Sequence, residues 1–289
     1  MASGPHDASR ASRRAVEALD EQSRVGLYSR LRRYFRETAM HYENKYKNLS
    51  FRRENGVLEI TLHTKGQSLI FNGHTHEELV QAFYDVGNDR DNRVVILTGA
   101  GDAFCKEITA EGFDFFTPEG YDKIFKEGRR MLEHMLNIEV PMIAAINGPC
   151  LVHSEYALIC DMILASEDAE FQDLPHLAFG VVPGDGVHVL WPEVIGSIRG
   201  RYFLMTQQKL SARQALDYGA VNEVVPRPRL LPRARELAQG LLKFNDLTLR
   251  YMRLALTQRL KRLLAEGVPI GLALEGISSA QVARVASQK

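Results

Sequence analysis

Three apolar runs constrain this chain more than any other feature: RVVILTGAGDAF (93–104), VPMIAAINGP (140–149) and DMILASEDAEF (161–171). Each is a short, β-branched-rich stretch that ends in Gly, Pro or Asp. Runs without polar alternation read as strands buried on both faces, which is how strands of a parallel sheet look. Residues 119–138 lie between the first two and have helical apolar spacing. So does THEELVQAFYDVGN (75–88), with Thr75 as its expected N-cap. Strands alternating with helices predict βαβ-type units and an α/β fold. Upstream, LSFRRENGVLEITLHT places two alternating runs around Glu54-Asn55-Gly56, a strong hairpin signal. Further on, ALDYGAVNEVV predicts a helix end, a Gly turn and a short strand. From about Leu247 the pattern is helical, in two stretches separated near Pro269.

The length of 289 residues suits one large domain with an appendage. Residues 1–47 are charged, with Val25, Leu27, Leu31, Tyr34 and Phe35 at helical spacing, and are expected to form an N-terminal helical extension. An α/β core should then occupy 48–225 and a helical region 226–289. Lys+Arg and Asp+Glu each number 36, so the net charge is zero. Such a chain has no long-range pull toward nucleic acid or anionic lipid, and neither is expected as a partner. The first residues lack an apolar signal region, and no uninterrupted apolar run reaches the roughly 18 residues of a spanning helix. Cys105, Cys150 and Cys160 are too few and too irregularly spaced for a disulfide framework or a metal cluster, so reduced thiols in a cytoplasmic protein are expected.

Candidate chemistry sits in the loops. GAGDAF (99–104) follows a strand but lacks the glycine spacing and the Lys-Ser/Thr end of phosphate loops, so no nucleotide is expected there. Of nine histidines, His153 and His176 stand apart. Each follows a strand-like run, in a turn-rich segment near a Pro, where α/β proteins place reactive groups. In FQDLPHLAFGVVPGDGVHVLWP, Asp185 could fold back on His176 and fix its tautomer, making it a general base. Asp185 could equally be a turn residue of PGDG. No Ser or Cys is placed as a nucleophile, so water is the natural group for His176 to activate. Glu275, among apolar residues in LALEGISS, is a further candidate.

These segments together, with VVILTGAGDAFCKEI and VPMIAAINGPCLVHSEYALICDMILASEDAEF foremost, resemble the crotonase superfamily over 49–225. The resemblance implies a ββα spiral core with a helical C-terminal trimerisation region, and a homotrimer or dimer of trimers. It implies an oxyanion hole made by the backbone N–H groups near Ile108 and His153. Two positions depart from the hydratases of that family, which carry glutamates where this chain has Tyr156 and His176. FQDLPH, VPGDGVHVLWP and RGRYFLMT resemble instead the β-diketone hydrolase branch, of the 6-oxocamphor hydrolase type, over about 42–275. That branch implies hydrolysis of a C–C bond in a 1,3-diketone, a cyclic one in particular, by a retro-Claisen reaction. It implies no cofactor and no metal. His176 and Asp185 would be the base dyad, His153 would bind the carbonyl that becomes an enolate, and Glu275 would position water. Phe71, where that branch has Trp, would line the pocket with Leu151. The rivals are an acyl-CoA hydratase or isomerase and a non-catalytic member of the superfamily.

Overall fold

The computed structural model describes residues 44–286, together with Asp20, Ser23, Gly26 and Tyr42. The chain divides into two compact units, Met1–Met40 and His41–Lys289. The expected extension over 1–47 therefore falls almost wholly outside the described residues.

Ten strands follow in chain order: β1 (Leu49–Glu54), β2 (Val57–Leu62), β3 (Ile70–Phe71), β4 (Val94–Gly99), β5 (Glu107–Ile108), β6 (Met142–Ile146), β7 (Met162–Ser166), β8 (Glu170–Phe171), β9 (Leu210–Ser211) and β10 (Glu223–Val225). β1 and β2 form the expected hairpin. Glu54 faces Val57 across a two-residue turn in which Asn55 and Gly56 both have positive φ, 52° and 86°. That turn matches the twist of the strands it joins. The main sheet runs β1-β2-β4-β6-β7-β10, parallel after the hairpin. β3 and β5 make a small parallel pair, and β8 and β9 an antiparallel one.

Eight α-helices lie within residues 44–286: α1 (Gly73–Asn88), α2 (Pro118–Leu136), α3 (Glu155–Leu158), α4 (Val187–Ile195), α5 (Ser197–Thr206), α6 (Ala212–Asp217), α7 (Arg227–Leu241) and α8 (Asp246–Ala286). The N-cap of α1 is Asn72, not Thr75. The extended Asn72 accepts from the Thr75 N–H at 3.0 Å, and Thr75 is buried inside the first turn. α8 is one helix of 41 residues rather than two stretches, and it passes through Pro269. Packing explains its continuity: α8 lies along α2 and α4. Its Gly271 carbonyl comes so close to Gly184 that a Cβ there would sit 2.3 Å from it.

The sheet is covered on both faces. Val94, Ile96, Ile143 and Ala145 pack against Leu230, Ala234 and Ala238 of α7. Their neighbours Val95, Leu97, Ala144 and Ile146 face the larger core with Leu79, Phe83 and Met131 of α1 and α2. Successive strand residues point to opposite faces, so burial on both sides produces the uninterrupted apolar runs. By length and composition α8 would also cross a membrane, with mean hydropathy 1.2 in its most apolar window, a test that core helices of soluble proteins pass as well.

Candidate active site

The loops beyond β6 and β8 build the site. Leu151 and Val152 both donate their N–H groups to the Cys105 carbonyl, at 2.8 and 3.2 Å. His153 follows with φ of 53°, a left-handed conformation that costs a non-glycine residue about 1 kcal/mol or more. Among the described residues nothing accepts from its backbone N–H. The ring is fixed from three sides. Nδ1 donates to Glu155 Oε1 at 2.6 Å, Phe71 packs with its centroid 3.9 Å away, and Tyr156 stacks nearly parallel at 5.1 Å.

His176 lies in the turn after β8, which is tied down by the Leu174 N–H on the Leu151 carbonyl (2.9 Å). The His176 carbonyl accepts from the N–H groups of Phe179 and Val181, both at 3.0 Å. Its Nδ1 donates to Asp173 Oδ1 at 2.6 Å. On the other side of the ring, Nε2 is 3.5 Å from Asp185 Oδ2 and 4.0 Å from Glu275 Oε2. Asp185 Oδ2 is also 3.3 Å from His153 Nδ1. One carboxylate thus stands between two imidazoles. Glu275 arrives from α8. His76 of α1 completes the polar set, its Nδ1 donating to Glu127 Oε2 at 2.9 Å.

These side chains converge on a cavity of about 450 Å³, with His76, His153, His176, Asp185 and Glu275 on its wall. The rest is mostly apolar, with Phe113, Phe115, Phe116, Ile124, Phe179 and Leu272 prominent. Ile108 lines it too. The Thr109 N–H donates to Phe71 of β3 at 2.9 Å, and alternation along a strand turns the Ile108 N–H away from β3.

The structure brings together His153, His176, Asp185 and Glu275, with Ile108 beside them. It reassigns the others. Asp185 stands by His176 as expected, 3.5 Å from Nε2, while the hydrogen bond to Nδ1 comes from Asp173, which reaches back across Leu174 and Pro175. Phe71 and Tyr156 do not line the cavity: both are buried behind the His153 ring. Leu151 does not line it either, and contributes backbone bonds to the loop.

Burial and charge compete here. Burial alone would keep the His176 imidazole neutral, but the field of Asp185, the Asp173 hydrogen bond and Glu275 outweigh it and raise its pKa to about 10. Burial likewise opposes charge on His153, and Glu155 and Asp185 overcome it, giving about 9. Burial pushes the Asp185 carboxyl up, yet the two histidines beside it leave it well below the usual carboxylate range. Glu155 and Glu275 are each lifted to about 7, by burial first; the charge on Asp185 adds to this, and the nearer histidine partly offsets it. Burial lowers His76. Near neutral pH the site therefore holds two imidazolium rings between carboxylates. The donor atoms of His153, Glu155 and Asp185 lie within 4.8 Å of one another, a spacing a cation could also accept.

Four functional groups escaped the sequence reading: Asp173, Glu155, His76 and the aromatic wall. Asp173 lay within FQDLPH, three residues before the histidine it orients, and Asp at that offset is a signal for a local side-chain bond. Glu155, two residues after His153, is similar. His76 and Phe113 carry no local signal, since only the tertiary fold turns α1 and the loop before α2 toward the cavity.

The family model for enoyl-CoA hydratase/isomerase matches residues 52–276. Among curated proteins, the carnitinyl-CoA dehydratase of Escherichia coli is 32% identical over 210 residues, covering 70% of this chain and 77% of the relative. Among solved structures, a β-diketone hydrolase from the cyanobacterium Anabaena sp., bound to (S)-3-oxocyclohexyl acetic acid, superposes with a TM-score of 0.84 at 54% identity, covering 85% of this chain and 99% of that one. An enoyl-CoA hydratase/isomerase from Mycobacterium paratuberculosis reaches 0.75 at 22% identity over 84% and 99% of the two chains, which shows the fold alone.

Proposed function

The chain belongs to the enoyl-CoA hydratase/isomerase family, and from that premise we propose that it is a hydrolase acting on 1,3-diketones. It adds water to one carbonyl and breaks the C–C bond between the two, releasing a keto acid. The observation that carries this reading is the cluster of two imidazoles and two carboxylates, His153, His176, Asp185 and Glu275, at the wall of an apolar cavity, with Asp173 behind His176. Its closeness to a β-diketone hydrolase that holds a keto acid supports the same reading.

The chemistry follows from the charges. A C–C bond breaks heterolytically only if the departing carbon is stabilised, and here the second carbonyl takes the charge as an enolate. Preorganised donors in a water-poor cavity then lower the barrier, each typically contributing about 10²–10³-fold. His153, charged and held by Glu155, supplies such a donor, with the N–H groups of His153 and Ile108 beside it as an oxyanion hole. His176 is charged as well, so it can donate to the carbonyl under attack. Asp173 holds the ring at Nδ1, and Nε2, 3.5 Å from Asp185 and 4.0 Å from Glu275, has no hydrogen bond among the described residues. The walls of Phe113, Phe115, Phe116 and Phe179 suit an uncharged, cyclic diketone.

A copy of the chain is the expected partner, as a trimer or dimer of trimers. The exposed Leu256, Ile270, Leu274 and Ile277 of α8 support this. The free, buried cysteines fit a reducing compartment such as the cytoplasm.

The test is turnover of monocyclic, bicyclic and open-chain 1,3-diketones in ¹⁸O-enriched water. A keto acid with one heavy oxygen in its carboxylate is expected. If no diketone is cleaved while an acyl-CoA is converted, the reading is wrong.

A further inference from the structure

We propose that His153, Glu155 and Asp185 form a binding site for one divalent transition-metal ion, of the zinc or cobalt kind, and that the bound ion holds the enzyme inactive. Binding stands on the geometry alone; its effect on turnover rests on the diketone reading above.

The first reason is charge. Four carboxyl groups crowd two rings: Glu155 on His153, Asp173 on His176, Asp185 between them and Glu275 beyond His176. Glu155, Asp173 and Glu275 are buried, and the Asp185 side chain is 12% exposed. Among the described residues no Lys or Arg forms an ion pair with any of the four; their cationic partners are the two histidines. The third histidine of the wall, His76, already faces its own carboxylate, Glu127, at 2.9 Å. Two imidazolium rings against four carboxylates leave two negative charges unmatched in a buried place, where an unpaired charge is costly. Protons can make up the difference, and so can a divalent cation.

The second reason is convergence. His153 Nδ1, a Glu155 oxygen and an Asp185 oxygen lie within 4.8 Å of one another. Zinc binds nitrogen and oxygen at about 2.0–2.2 Å, so tetrahedral donors stand about 3.3–3.6 Å apart. The 3.3 Å between His153 Nδ1 and Asp185 Oδ2 is already that spacing. The 2.6 Å to Glu155 Oε1 has to open by about 0.7 Å. Glu155 adds an independent sign of a ligand. It is 1% exposed, and its Oε2 is buried with no hydrogen-bond partner. An ion beside that carboxylate takes up the unused lone pair. His153 and Asp185 line the cavity, which gives an ion its way in and a fourth position open to water. One imidazole and two carboxylates suit zinc, cobalt or nickel, whereas magnesium and calcium favour all-oxygen shells.

Binding is ligand exchange. The ion sheds water, bonds to one nitrogen and two oxygens, and releases the Nδ1 proton to solvent; no electron moves. It takes groups that turnover uses. Asp185 Oδ2, which stands 3.5 Å from His176 Nε2, is drawn onto the ion. His153 changes from an imidazolium held by Glu155 to a metal ligand.

Cobalt(II) titrated into the full-length protein without substrate is the test of the site. Visible ligand-field bands of a four- or five-coordinate ion should grow and level off at one ion per chain, and zinc(II) should abolish them by displacement. Glu155→Gln and Asp185→Asn should each weaken binding by more than the roughly 10–100-fold that loss of a mere supporting residue costs. Circular dichroism of the metal-free variants checks that both are folded. Zinc(II) should also stop diketone cleavage by the wild type over the concentrations at which it displaces cobalt, and EDTA should restore turnover. A wild type without such bands, or cobalt that binds both variants as tightly as the wild type, would overturn the site. Undiminished turnover at saturating zinc would overturn the inhibition. If the wild type cleaves no diketone, the functional reading fails instead, and the cobalt bands still decide the site.

Discussion

The Nδ1–H of His176 points at Asp173 Oδ1, 2.6 Å away, so the ring is oriented by a residue of its own turn. A charge-assisted bond of this kind is typically worth about 1.5–3 kcal/mol. Asp173→Asn should therefore lower kcat by roughly 10- to 100-fold. It should also change stability in a pH-dependent way. The folded pKa of His176, about 10, lies above its ordinary 6.5. The stability this adds is fully present below pH 6.5 and lost as the pH rises through 10. Melting temperatures of the wild type and Asp173→Asn, compared between pH 6 and 10, should converge toward the alkaline end.

Asp185→Asn removes the charge that both imidazolium rings share and that helps hold Glu275 protonated. All three groups should then titrate lower. The profile of kcat against pH should slide toward acid. A profile that loses height without sliding would show that Asp185 serves only to shape the loop.

Gly128 lies inside α2 on the cavity wall. A Cβ there would meet the Leu272 side chain at 3.5 Å and His76 Nε2 at 3.9 Å, both ordinary contacts. Alanine is therefore tolerated, and in a helix interior it is favoured over glycine by about 0.5–1 kcal/mol. Gly128→Ala should raise the melting temperature by about 1–4 °C. It should also raise KM for bicyclic diketones more than for open-chain ones. Equal effects on both substrate classes would mean that the methyl group does not reach the bound substrate.

Gly184→Ala is the opposite case. The new Cβ would lie 2.3 Å from the Gly271 carbonyl and 2.9 Å from Glu275 Cβ, so α8 or the Asp185 loop must move. Overpacking of this kind costs roughly 1–3 kcal/mol. Urea unfolding should report that loss, and turnover should fall because Asp185 and Glu275 shift together.

Much of this was legible in the residues. Asn55-Gly56 announced the hairpin, and the runs around Val95, Ile143 and Leu164 announced strands covered on both faces. His153, His176, Asp185 and Glu275 were singled out, and they meet. What could not be read was which nitrogen met which oxygen. Asp173 meets Nδ1 and Asp185 stands off Nε2, and no periodicity in the sequence encodes that choice. Phe71 was misjudged for a related reason: its place in the chain suggested the pocket, but β3 pairs with β5 and turns its ring onto His153. The wall formed by Phe113 and Phe115 belongs to an irregular loop, whose side chains find their direction only after α1 and α2 have packed.

The long C-terminal helix has a consequence for control. Glu275 enters the cavity from α8, while Leu274 and Ile277, its neighbours in sequence, are exposed on the outside of the same rod. An α-helix advances about 1.5 Å per residue and transmits axial displacement as a stiff strut. Any contact on that outer side would therefore act on the Glu275 carboxylate, less than one turn away. A force on the outside of this helix would reach the cavity as a change in where the Glu275 carboxylate stands.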